Sequence, residues 1–213
     1  MGKAIAAVVV LLVGFLAYRF MANLADPVPL KNLEVVHPVG PLAALSAKSA
    51  PEQHRLYFSQ TFQFSPFYRL KPLATYRLEA RVLSARDYSK ERSAEAQLSP
   101  VDFALGWGVM AEPRIARNIP ISQDHRFYHF TSPGNPDVDT VARHSANTHM
   151  VPINDEVHKQ LMQVEKGDLL RLRGYLVKVV GDDGWTWKSS LTRSDTGGGA
   201  CELMLVAEMS KEE

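Results

Sequence analysis

The stretch NDEVHKQLMQVEKGDLLRLRGYLVKVV, residues 154–180, sets the fold class. Its first half has helical periodicity. Asn154 or Asp155 is placed to cap, Val157, Leu161 and Val164 fall at i, i+4 and i+7, and Lys166–Gly167 supplies a stop. Its second half has the period of a strand, with Leu170, Leu172 and Leu176 alternating with Arg171, Arg173 and Tyr175. Gly174, in the middle of that strand, predicts a bend or bulge. One amphipathic helix therefore feeds a long, half-buried strand.

Strand signals dominate on both sides of it. Upstream, Tyr76, Leu78, Ala80 and Val82 alternate with Arg77, Glu79 and Arg81. Phe103, Leu105, Trp107 and Val109 alternate with Ala104, Gly106 and Gly108, a bare face that predicts close packing against the backbone. His125, Phe127 and His129 alternate with Arg126, Tyr128 and Phe130, which reads as one further strand. Downstream, an Asp-Asp-Gly turn precedes Trp185 and Trp187, and ELMLVAE (202–208) reads as a closing strand. The prediction is a mostly β (α+β) domain, either a small antiparallel sheet or an OB-like barrel, with one amphipathic helix.

Residues 4–17, AIAAVVVLLVGFLA, are uncharged and follow Lys3. Extended to Leu24, the run reaches the roughly 20 residues that a membrane span requires. Sites suited to signal cleavage are poor, because Asn23 or Phe20 takes the position that favours a small residue. Residues 1–24 are thus expected to be an uncleaved signal-anchor transmembrane helix. Residues 25–55, with prolines at 27, 29, 38, 41 and 51, are expected to form a stalk or an extended wrap, and 56–213 the globular domain. Arg19 and Lys31 nearly balance Lys3, but the minimal N-terminal tail favours a cytoplasmic N-terminus and a periplasmic domain.

The formal net charge of +1 provides no global field for nucleic acid, and no basic stripe accompanies the tryptophans. Cys201 is the sole cysteine, which excludes an intrachain disulfide and multi-cysteine zinc motifs. No cofactor or metal set is expected. His144 and His149 are five apart, a spacing that does not converge on one ion from a helix or a strand. The segment RHSANTHM (143–150) reads as an irregular polar connection, and SSLTRSDTGGGACE (189–202) as a glycine-rich loop before the last strand. If the two segments are neighbours, His144, Asn147, His149, Arg193 and Asp195 form a candidate polar network.

The strings FALGWGVM, ISQDHRFYHF, HSANTHMVP, GDLLRLRGYLV and DGWTWKSSLTRSDTGGGACELMLV, taken together, resemble an uncharacterised family of bacterial proteins with an N-terminal membrane segment. The resemblance runs from about residue 100 to the C-terminus. It implies a bacterial, envelope-associated protein and transfers no activity; with the signal anchor, the expected location is the bacterial inner membrane. From the sequence, the leading expectation is a membrane-anchored domain that binds a protein or other envelope component in an assembly. The alternative is a hydrolase or metal-dependent enzyme built on the His144/His149 segment with Cys201 or Ser145.

Overall fold

The computed structural model describes residues 27–42, 45–192 and 199–212. The first strands are β1 (Val28–Pro29), β2 (Glu52–Arg55), β3 (Phe62–Ser65), β4 (Tyr68–Asp87) and β5 (Val101–Gly106). A hairpin follows, β6 (Ile121–Asp124) and β7 (Phe127–Phe130), then β8 (Ser145–Pro152), β9 (Leu169–Gly181), β10 (Thr186–Lys188) and β11 (Glu202–Glu212). The helices are short: α1 (Leu33–Val36), α2 (Ala94–Leu98), α3 (Pro113–Ala116), α4 (Val138–Arg143) and α5 (Asp155–Leu161). The protein is mostly β, as its alternating pattern predicts.

The twenty residues of β4 serve two partners. Tyr68–Arg81 pairs antiparallel with β9, and Arg81–Asp87 pairs antiparallel with β5. β5 continues to β8 and β9 to β11, both antiparallel, while β8 and β11 pair parallel. The sheet is therefore mixed and curls into a partial ring. An entirely antiparallel sheet is ruled out by parity: five strands linked in this order cannot alternate direction all the way round, so one pair must be parallel.

Curvature is placed where the sequence permits it. The register of β4 on β9 shifts between Pro72 and Ala74, where a proline inside a strand removes a ladder donor. The register of β11 on β9 shifts between Val206 and Glu208, opposite Gly174. A Cβ on Gly174 would sit 2.0 Å from the Leu205 carbonyl oxygen, so the predicted bend is a close approach that only glycine permits. The inward residues of β4 (Tyr76, Leu78, Ala80, Val82) pack with Phe103, Leu105, Leu172 and Met204. Helix α5 closes this core. Asn154 Oδ1 accepts from the Val157 amide at 2.9 Å, Val157 and Leu161 are buried, and the chain turns at Gly167 with φ +101°.

Three readings change, the first being that most of RHSANTHM, expected as an irregular connection, lies in strand β8. The segment 125–130 is not one strand, because His125 and Arg126 form the two-residue tip of the β6–β7 hairpin with φ of 46° and 69°. The strand predicted over 103–109 stops at Gly106. Gly108, at φ +54°, turns the chain into a 3-10 segment, with Trp107 buried. The bare face of that strand is explained at Gly106, where a Cβ would meet the Met110 carbonyl oxygen at 2.8 Å.

Of the two forms open to residues 25–55, the described part is a wrap. β1 pairs parallel with β3, Leu33 is buried, β2 pairs with β4, and the Tyr175 hydroxyl donates to the His37 carbonyl at 2.6 Å. Residues 4–24 lie outside the described residues. Among the described residues, no helix is long and apolar enough to cross a membrane.

Candidate active site

β5 carries VDFALG, and all six residues are buried. Val101, Phe103 and Leu105 point into the core beneath α5, so by the alternation of a strand Asp102 and Ala104 point to the other face. On β8 the residues opposed to them are His149 and Asn147, with Ser145 next along the same face. The polar letters of SANTH thus have period 2, and they face a carboxylate set in an apolar strand.

Asp102 is fully buried, and its carboxylate is divided between two cations. Oδ2 lies 2.9 Å from His149 Nδ1, and neither of these two atoms has another polar partner among the described residues. Oδ1 accepts from Arg126 Nη1 at 2.7 Å and from Ser99 Oγ at 3.3 Å. With Nδ1 committed to Asp102, Nε2 is the other ring nitrogen, and the nearby Cys201 thiol adds to the ring's affinity for a proton. Burial works against the charged ring, but the hydrogen bonds and charges of Asp102 and Cys201 outweigh it and push the His149 pKa up from 6.5 to about 9. Trp187 covers the imidazole, with ring centroids 4.7 Å apart.

Cys201 immediately precedes β11, whose Leu203 is in register with His149, so the thiol emerges on the His149 face. Asn147 Nδ2 is 3.6 Å from Sγ and donates to the Arg126 carbonyl at 2.9 Å. Gln123 Nε2 in turn donates to Asn147 Oδ1 at 2.7 Å and fixes the orientation of the amide.

Arg126 ties these parts together. Its guanidinium lies 3.7 Å from the centroid of the Tyr88 ring, and its Nη1 also donates to the Ser99 carbonyl at 3.0 Å. Its amide donates to the Tyr88 hydroxyl at 3.1 Å, and its carbonyl is 3.8 Å from the Cys201 sulfur. Non-glycine residues at two successive positive φ angles are costly and need surrounding support. Here the support consists of contacts to Asp102, Tyr88, Asn147 and Cys201. A cleft of about 560 Å³ opens onto the assembly, lined by Tyr88, Arg126, His149, Trp187, Gly199 and Cys201.

The two segments singled out by sequence do meet over their described residues, at Asn147, His149 and Cys201. Arg193 and Asp195 lie outside the described residues. His144 does not join them. It ends α4, its Nδ1 is 2.8 Å from the Thr140 carbonyl, and its ring packs over Gly108. The Ser145 hydroxyl is likewise engaged elsewhere, donating to the Val141 carbonyl at 2.7 Å and meeting the Tyr128 hydroxyl at 3.1 Å. His125 is exposed beside Asp124. Among the described residues no three His, Cys, Asp or Glu side chains converge as a metal site. Asp102, Arg126, Tyr88 and Trp187 escaped the sequence reading. The available signal was Asp102, a lone acid inside an apolar strand.

No protein-family model, curated protein or solved structure matches the chain.

Proposed function

We propose that the domain is a thiol-dependent acyl-transfer enzyme, a hydrolase or transferase, with Cys201 as nucleophile, His149 as its base and Asp102 as the group that orients the base. The observation that carries this reading is a cleft lined by both the Cys201 thiol and His149, with the thiol raising the proton affinity of a buried imidazole whose Nδ1 is 2.9 Å from a buried carboxylate. Within the pair His149 holds the proton and Cys201 reacts as the thiolate, an arrangement that the raised proton affinity of His149 favours. The sulfur attacks the acyl carbon of an ester, amide or thioester. The tetrahedral intermediate collapses to an acyl-Cys201 thioester, and His149 returns the proton to the departing alcohol, amine or thiol. Water or a second acceptor, deprotonated by His149, then releases the acyl group. Asn147 Nδ2, which donates to the Arg126 carbonyl and lies 3.6 Å from Sγ, positions the sulfur. The test is incubation with activated esters followed by intact-mass measurement. A rapid burst of leaving group, with one acyl adduct on Cys201, supports the reading. Labelling no faster than that of a free thiol opposes it.

A binding role within an envelope assembly is the second reading. In its favour, the thiol already contacts the Arg126 carbonyl and Asn147, as a structural thiol would. A Cys201→Ser chain that captures the same native partners as the parent, with no esterase burst in either, would select it.

For the scaffold we infer an OB-like barrel, supported by the order β4–β5–β8–β11–β9 with return pairing to β4 and by α5 between β8 and β9. We further infer that residues 4–24 are an uncleaved anchor in a bacterial inner membrane, with the domain in the periplasm. The apolar run behind Lys3 supports this, and reporter fusions after residue 55 test it.

A further inference from the structure

Tyr57 and Phe58 are adjacent in the chain and are 84% and 95% exposed, in the loop between β2 and β3. Single exposed apolar residues are ordinary, but two consecutive aromatics held fully outward are not explained by packing. Their place in the fold supplies an explanation. β1 pairs parallel with β3, Val28 opposite Phe62, and the Val28 amide donates to the Thr61 carbonyl at 2.8 Å. Because the pairing is parallel, the chain enters β1 from the Thr61 end of β3, the end at which the Tyr57–Phe58 loop lies.

The apolar run reaches Leu24, so only Ala25 and Asp26 separate it from Pro27. Three residue steps span at most about 10 Å. The headgroup layer on one side of a bilayer is roughly 5–8 Å thick, half the difference between the total and the hydrocarbon thickness. A span ending at Leu24 therefore holds the Thr61 end of β3 at the headgroups, with no room for a free stalk. The surface presented there suits that position. Residues 53–61, QHRLYFSQT, contain no acid, and His54 and Arg55 beside the aromatics are exposed. Aromatic side chains favour the bilayer interface, and basic ones favour anionic headgroups.

We propose that the Tyr57–Phe58 loop is a bilayer-docking edge that seats the domain on lipid headgroups beside its anchor, a proposal that rests on the anchor reading above. The test uses the full chain reconstituted in vesicles of phosphatidylcholine and phosphatidylglycerol, comparing Phe58→Trp with the parent so that the emission of the three native tryptophans is subtracted. Flotation with the vesicles reports the anchor, and quenching of the added emission reports the loop. The expected result is flotation, loss of the added emission with phospholipids brominated near the headgroup, and protection from aqueous iodide. Flotation with iodide quenching and no bromolipid quenching overturns the docking edge while leaving the anchor intact. Flotation with neither quencher effective, together with cross-linked dimers through the loop, overturns it in favour of a second copy of the chain as the cover. A chain that fails to float overturns both readings.

Discussion

His149 and Asp102 stand directly opposite each other across the β5–β8 ladder, with Nδ1 2.9 Å from Oδ2 and both side chains buried. Strand register alone sets this geometry, so the pair is preorganised without help from a loop. A buried carboxylate and imidazole held in this way fix the ring and raise its affinity for a proton.

Removing the acid strands the charges that face it. Asp102→Ala leaves Arg126 and His149 without their counter-ion in a dry site, and breaking a buried pair typically costs about 3–5 kcal/mol. Urea denaturation of the variant should show a loss of that order. A loss under about 1 kcal/mol would place the pair in contact with water rather than in the core.

The same pair makes stability depend on pH. The folded pKa of His149 is raised from 6.5 to about 9, so its contribution is fully present below about pH 6.5 and is lost as pH rises through about 9. Denaturant midpoints should fall between pH 6.5 and 9.5, and this fall should be reduced in His149→Gln. An identical pH slope in parent and variant would assign the effect to other groups.

Arg126 is predicted to be irreplaceable by lysine. Its Nη1 reaches both Asp102 and the Ser99 carbonyl while Cζ lies 3.7 Å from the Tyr88 ring centroid, and a lysine ammonium drawn to the two oxygens gives up that ring contact. Arg126→Lys should slow acylation of Cys201 by roughly tenfold or more, a barrier increase of about 1.4 kcal/mol per tenfold. Lysine restoring the full parental rate would reduce Arg126 to a charge.

Much of the architecture was legible because burial writes itself into periodicity. The helix at 155–161 and the strands around Tyr76 and Leu172 each show one apolar face, and the strand around Leu205 is a continuous apolar run buried on both. The hairpin tip at His125–Arg126 was not legible, since its positive φ angles occur without the glycine that normally announces them. The site was half legible. Asn147, His149 and Cys201 stood out, but SANTH read as a loop because its outward face packs under the β6–β7 hairpin and carries polar rather than apolar side chains. Asp102, across the ladder and 47 residues from His149 in sequence, becomes its partner only through the β5–β8 register.

Gly174 tests the scaffold independently of the site. A Cβ there meets the Leu205 carbonyl oxygen at 2.0 Å, and backbone cannot yield as a flexible side-chain end would. Gly174→Ala should destabilise the domain by about 1–3 kcal/mol, the usual cost of overpacking. A neutral change in the urea midpoint would mean that β9 and β11 are not held so closely at the bulge.

The central claim is that His149 activates Cys201, and the most direct measurement is the single-turnover rate of Cys201 acylation by an activated ester at pH 7 in parent and His149→Ala chains. Mass spectrometry would read out the adduct, and circular dichroism would verify folding. The account predicts a fall of about 10²- to 10⁴-fold, the range by which a positioned acid–base group contributes. Equal acylation rates in the two folded chains would contradict it and leave Cys201 an ordinary thiol at the mouth of a binding cleft.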